Sequence, residues 1–138
     1  MSTSFSDILT AQKNGVVGIN SIATSMNILA SIASPTKMGQ APITGTYATI
    51  YTVPNTSTAV LRDMEICNTT ASPVGIYVSV VPTNGTAGAS NAIFFNAQLP
   101  GYSTVQWTGA ITMSFGTTLQ VKGSTTGCTI TASGGLIV

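Results

Sequence analysis

Val74-Gly75-Ile76-Tyr77-Val78-Ser79-Val80-Val81 sets Val74, Ile76, Val78 and Val80 on one side of the chain and Tyr77 and Ser79 on the other. That period of two is the mark of a strand with one face in a core. Outward from it, other short runs rich in β-branched and aromatic residues follow the same pattern. They predict strands at 47–53, 59–68, 74–81, 92–99, 104–107, 111–115, 118–122 and 128–132, with a last piece at 136–138. Turn signals separate nearly all of them: Pro54-Asn55, Ser72-Pro73, Asn84-Gly85, Pro100-Gly101, Gly123 and Gly134-Gly135. About eight short strands with such punctuation fit a mainly β fold, an antiparallel β-sandwich of jelly-roll or related topology.

Upstream the period changes. Residues 4–33 contain no proline and carry Ile8, Gly15, Ile19, Ile22, Met26, Leu29 and Ala33 at steps of three and four after the first gap, a heptad-like seam widened by Val16, Ala23 and Ala30. Ser4 and Asp7 resemble a capping box, and Pro35 stops the run, so a helix is expected over about 6–34. Gly15, Gly18 and several Ser, Thr and Asn residues each cost up to about 1 kcal/mol relative to Ala, so the helix needs packing partners. Ile8, Val16, Ile19, Ile22, Met26 and Leu29 are the candidate interface. Pro35, Gly39, Pro42 and Gly45 read as a linker. The expected organisation is a helix for anchoring and oligomerisation at 1–34, a linker at 35–46 and a sandwich at 47–138.

Of the 138 residues only 5% are charged, against about 25% in a typical globular chain. The net charge is +1 and the mean hydropathy +0.41, too apolar for a disordered chain. A surface this poor in charge is expected to be covered by other subunits, which predicts a homo-oligomer. No apolar run is long enough to span a bilayer, no basic and apolar leader is present, and membrane insertion is not expected. Asn55-Thr56-Ser57, Asn68-Thr69-Thr70 and Asn84-Gly85-Thr86 match a glycosylation pattern but are read as Thr-rich turns.

The chain has no histidine, which removes the usual base for a Ser or Cys nucleophile and the commonest metal ligand. No catalytic residues, cofactor or metal are expected. Asp63 and Glu65 would share one face of a strand about 7 Å apart, a spacing open to acid/base chemistry, but they more simply mark a solvated or interface face. A divalent cation held with Asn68 is the minor alternative. Arg62 should point opposite Asp63. Lys13, Lys37, Arg62 and Lys122 are scattered, so no basic stripe invites nucleic acid. Residues 84–91 lie between strands, unlike a phosphate loop, and read as a contact loop. Tyr102, Trp107 and Tyr77 could stack a sugar, although aromatic residues in strands more often anchor a core. Cys67 and Cys128 are either free apolar residues or one bridge between an early and a late strand.

The order of features resembles small accessory virion proteins of tailed bacteriophages. The likeness rests on Asp7-Ile8-Leu9-Thr10-Ala11-Gln12-Lys13-Asn14-Gly15-Val16-Val17-Gly18-Ile19-Asn20, then Tyr51-Thr52-Val53-Pro54, Leu61-Arg62-Asp63-Met64-Glu65-Ile66-Cys67-Asn68, Val80-Val81-Pro82 and Leu99-Pro100-Gly101. The resemblance covers most of the chain and implies a non-enzymatic particle component, a trimer or other symmetric oligomer, contacting capsid or tail subunits. It would decorate or cement the capsid or form a short head fibre, in virions assembled in the bacterial host cytoplasm. The alternative is a tail-associated fibre or adaptor, or a module binding a host-surface glycan.

Overall fold

The computed structural model describes residues 36–137. The strand that begins at Thr58 illustrates how sequence becomes structure here: Ala59, Leu61, Met64 and Ile66 are fully buried while Arg62 and Glu65 are exposed. Eight strands form in this way: β1 (Thr36–Ile43), β2 (Ala48–Thr52), β3 (Thr58–Asn68), β4 (Val74–Val81), β5 (Ala92–Leu99), β6 (Thr104–Met113), β7 (Thr118–Gly123) and β8 (Cys128–Ile137). A single 3-10 turn at Ala89–Asn91 precedes β5.

The strands make two antiparallel sheets, ordered β1-β8-β3-β6 and β2-β7-β4-β5. The pairing is nested: β4 with β5, β3 with β6, β2 with β7 and β1 with β8. One long antiparallel hairpin is thus wound across two layers. Leu61, Met64, Ile66 and Ile130 from the first sheet meet Ile76, Val78, Leu119 and Val121 from the second, all at most 1% exposed. Each such side chain contributes about 1.5–3 kcal/mol by leaving water.

The expected linker at 35–46 is corrected by β1, which occupies 36–43 and seats Met38 and Ile43 in the core. Its glycine and proline misled because both are compatible with an edge strand. Gly39 sits at a register shift and lies against β2, where a Cβ would come 2.9 Å from the Ile50 carbonyl oxygen. Two pairs of expected strands also fuse. Residues 104–107 and 111–115 join into β6 through Gly109 and Ala110, and 128–132 and 136–138 into β8 through Gly134 and Gly135. Gly134 belongs inside a strand because a Cβ there would run into the Val60 carbonyl and the tip of Met38. The expected helix at 6–34, with Ile8, Val16, Ile19, Ile22, Met26 and Leu29, lies outside the described residues.

The register also orders the two ends of the sandwich. Thr36 pairs with Gly134 and Thr58 with Ile137, so the chain enters β1 at the end that carries the 53–57, 82–91 and 114–117 connections. The opposite end gathers 44–47, 69–73, 100–103 and 124–127, tied by Thr69 N–H to Gly127 O and Gly123 N–H to Thr44 O, both 2.9 Å.

Candidate interaction surfaces

On the outside of the first sheet the register builds rows of polar side chains. Lys37, Ser133, Asp63 and Thr108 pair across the four strands, as do Gln40, Thr131, Glu65 and Gln106. Asp63 and Glu65 share this open face, and the Asp63 carboxylate accepts a hydrogen bond from Gln106 Nε2 at 3.2 Å. Arg62 was expected to point opposite Asp63. Instead a bulge between Leu61 and Asp63 inserts Arg62 as an extra residue against β8 and leaves it exposed.

Asn68 ends β3 with its side chain buried, and Thr69 and Thr70 begin the connection that the Thr-rich turn was expected to form. Its Nδ2 group points at the carbonyls of Ser72, Leu99 and Pro100 at 2.8–3.2 Å, while its Oδ1 accepts from the Thr70 N–H and hydroxyl. One amide therefore clamps two connections, and its oxygen is committed within the fold rather than offered to a cation. Among the described residues no group of three or more His, Cys, Asp or Glu is placed to hold a metal.

Cys67 and Cys128 lie on neighbouring strands but belong to opposite faces, since Cys67 pairs with Thr129 and Asn68 with Cys128. Both thiols are free. Burial, reinforced by Cys67, raises the Cys128 pKa, as expected of an inert core thiol. Burial likewise raises that of Tyr51, whose hydroxyl is enclosed without a hydrogen-bond partner.

Tyr102, Trp107 and Tyr77 are not brought together. Trp107 turns inward onto the core beside Gly109, and Tyr102, 76% exposed, sits on the β5–β6 connection beside the Asn68 clamp. Tyr77 lies on the outside of the second sheet, where a different group forms. Lys122 is its cross-strand partner, with Nζ 4.7 Å from the Tyr77 ring centroid and 5.4 Å from that of Tyr47. Tyr47 and Phe95 approach Tyr77 edge to face, with centroids 6.4 and 5.2 Å away. Phe95 and Asn96 together oppose Tyr77 in a bulge, which leaves both exposed. Asn96 takes φ 53°, a region that Asn tolerates well. Elsewhere on this face the 82–91 connection lies over Ser79, whose hydroxyl donates to Gly88 O at 3.4 Å. Its residues 84–91, expected as a contact loop, thus also serve as a lid on the sheet.

Three solved structures of infectious bursal disease virus resemble this chain. That of the Gx strain is 16% identical with a TM-score of 0.42, covering 74% of this chain and 30% of that one. The T13 viral particle gives 13%, 0.41, 74% and 29%, and the Gt strain 14%, 0.34, 77% and 29%. The chain thus spans less than a third of the length of those proteins. No protein-family model and no curated protein matches the sequence.

A shallow cleft of about 50 Å³, lined by Ile76, Phe94, Ala97, Gln98, Leu99 and Val105, opens between the sheets at the β5 side. It touches neither Asp63 nor Glu65. The row formed by Tyr47, Lys122, Tyr77 and Phe95 escaped sequence reasoning because it depends on the pairing of β4 with β7; only the outward side of Tyr77 was readable.

Proposed function

We propose that this chain is a non-enzymatic structural component of a phage particle, a symmetric oligomer that decorates or cements the capsid or forms a short head fibre. The observation that carries the reading is the nested pairing of eight strands in two sheets, the topology of a jelly roll, which viral capsid and lectin domains share. A fold alone does not assign a role. Three features of the sequence support this one: a surface with very few charges, no histidine for catalysis, and a heptad-like seam ahead of the sandwich.

In this reading Ile8, Val16, Ile19, Ile22, Met26 and Leu29 pack between copies, with a trimer favoured, and the sandwich contacts capsid or tail subunits in virions assembled in the bacterial cytoplasm. The chain enters β1 at one end of the sandwich, so an anchor there leaves the Asn68 end and Tyr102 pointing away from the particle. Replacing Ile22 and Met26 by Asp in the full chain tests the assembly role. Loss of oligomer mass in light scattering, with the β signature of circular dichroism retained, is the expected result. An unchanged oligomer removes the seam from the mechanism.

A further inference from the structure

The outer face of the second sheet carries one cation, three aromatic rings and two exposed amides within a few residues of each other. Tyr47, just ahead of β2, Lys122 on β7 and Tyr77 on β4 run in a row, and Phe95 continues it on β5. Next to Phe95, Asn96 and Gln98 are exposed and joined by a hydrogen bond from Gln98 Nε2 to Asn96 Oδ1 at 3.0 Å. Beneath them lies Gly75: a Cβ there would collide with Asn96 Oδ1. Along β4 the 82–91 connection covers Ser79, two residues beyond Tyr77, and bounds the patch on that side.

Among the described residues no carboxylate shares this sheet with Lys122. Asp63 and Glu65, the carboxylates among the described residues, both stand on β3 in the other sheet. Lys122 is held over two rings instead, which keeps a positive charge at a fixed place beside aromatic surface.

We infer that this patch is a binding site for a carboxylated saccharide, a sialate or uronate, with the sugar ring stacked on the exposed Phe95 and its carboxylate on Lys122. The axial C–H groups of a pyranose carry partial positive charge and suit the negative face of an aromatic ring. The ammonium supplies a charge-assisted hydrogen bond to the carboxylate, and Asn96 and Gln98 offer donors and acceptors to hydroxyls. The inference concerns the outer face of the second sheet and requires neither an anchor nor self-association, so it stands or falls apart from the virion reading.

The test is isothermal titration of the full chain with 3′-sialyllactose and trigalacturonate, each beside its methyl ester as the neutral counterpart. At least one acidic sugar should bind about tenfold more tightly than its counterpart, a difference of one attractive contact. Lys122→Met keeps an apolar stem on the rings and should bring the two within about twofold, while Phe95→Ala should weaken both by about fivefold or more. Phe95 is 57% exposed, so its loss should keep the β signature of circular dichroism and a cooperative melt, which separates a binding defect from a folding one. Absence of heat with both acidic sugars overturns the inference. So does binding that survives both substitutions, or a change of oligomer mass in Lys122→Met, which would make the patch a subunit contact.

Discussion

The two outer faces of the sandwich differ in how they meet solvent. The first sheet presents rows of Thr, Ser, Gln and charged side chains, with Lys37 and Gln40 at one edge and Thr108 and Gln106 at the other. The second sheet carries the 82–91 connection over Ser79 at one place and aromatic rings beside Lys122 at another. The first face is built to stay wet or to meet another polar surface, whereas the second concentrates apolar area and one fixed charge. Two sheets sharing one core therefore present unlike surfaces, and the difference comes from outward-facing residues that the core does not constrain.

The sharpest way to break this contrast is at the roof. Ser79 is fully buried beneath the 82–91 connection, so Ser79→Leu should overpack the site and cost about 2 kcal/mol in urea denaturation. A cost near zero would mean that the loop lies free of the sheet. Tyr77→Ala removes the ring between Lys122 and Phe95 and should cost about 1.5 kcal/mol through lost aromatic and cross-strand contacts.

A smaller effect lies on the inner side of the second sheet. Tyr51→Phe deletes a buried hydroxyl that has no partner and should be neutral or stabilise by up to about 1 kcal/mol, read as a raised melting temperature. Burial raises the pKa of both Tyr51 and Cys128, so the folded chain holds these protons after the unfolded chain has released them. Ionising either group inside the fold is unfavourable, so stability is unaffected by them at neutral pH and falls as pH rises past their ordinary values of 9.0 and 10.0. The double variant Tyr51→Phe, Cys128→Ala should move that alkaline loss to higher pH in melts recorded from neutral to strongly alkaline buffer. The smallest change belongs to the polar face: Glu65→Gln, exposed on β3, should shift stability by less than about 0.5 kcal/mol. A larger loss would show that the face is locked by charge rather than solvated.

The sequence revealed strands wherever apolar residues alternated without interruption. Expected bounds for β4 and β5 coincide with the structure, and those for β3 differ by one residue. It failed where a residue has two meanings. Pro42 and Gly39 punctuate loops but also suit an edge strand, so β1 was read as linker; Gly109 and Gly134 resemble turns but lie within strands where another backbone or ring comes close. The bulge at Arg62 left no sequence signal, because register is settled between strands rather than along one. The same limit hid the lysine and aromatic row, whose members come from four separate segments, and the Asn68 clamp, whose targets at Leu99 and Pro100 lie far along the chain.

The correction at β1 also decides how the assembly is best tested. A chain starting near Tyr47 would lose Met38 and Ile43 from the core, so the informative truncation starts at Pro35 and keeps every described strand. Light scattering of the full chain and of residues 35–138 at matched concentration tests the division between an assembling N-terminal segment and a self-sufficient sandwich. The account predicts a trimer or larger for the full chain, and a monomer with a cooperative melt for the truncation. A truncation that keeps the oligomeric mass, or a full chain that is itself a monomer, would contradict it.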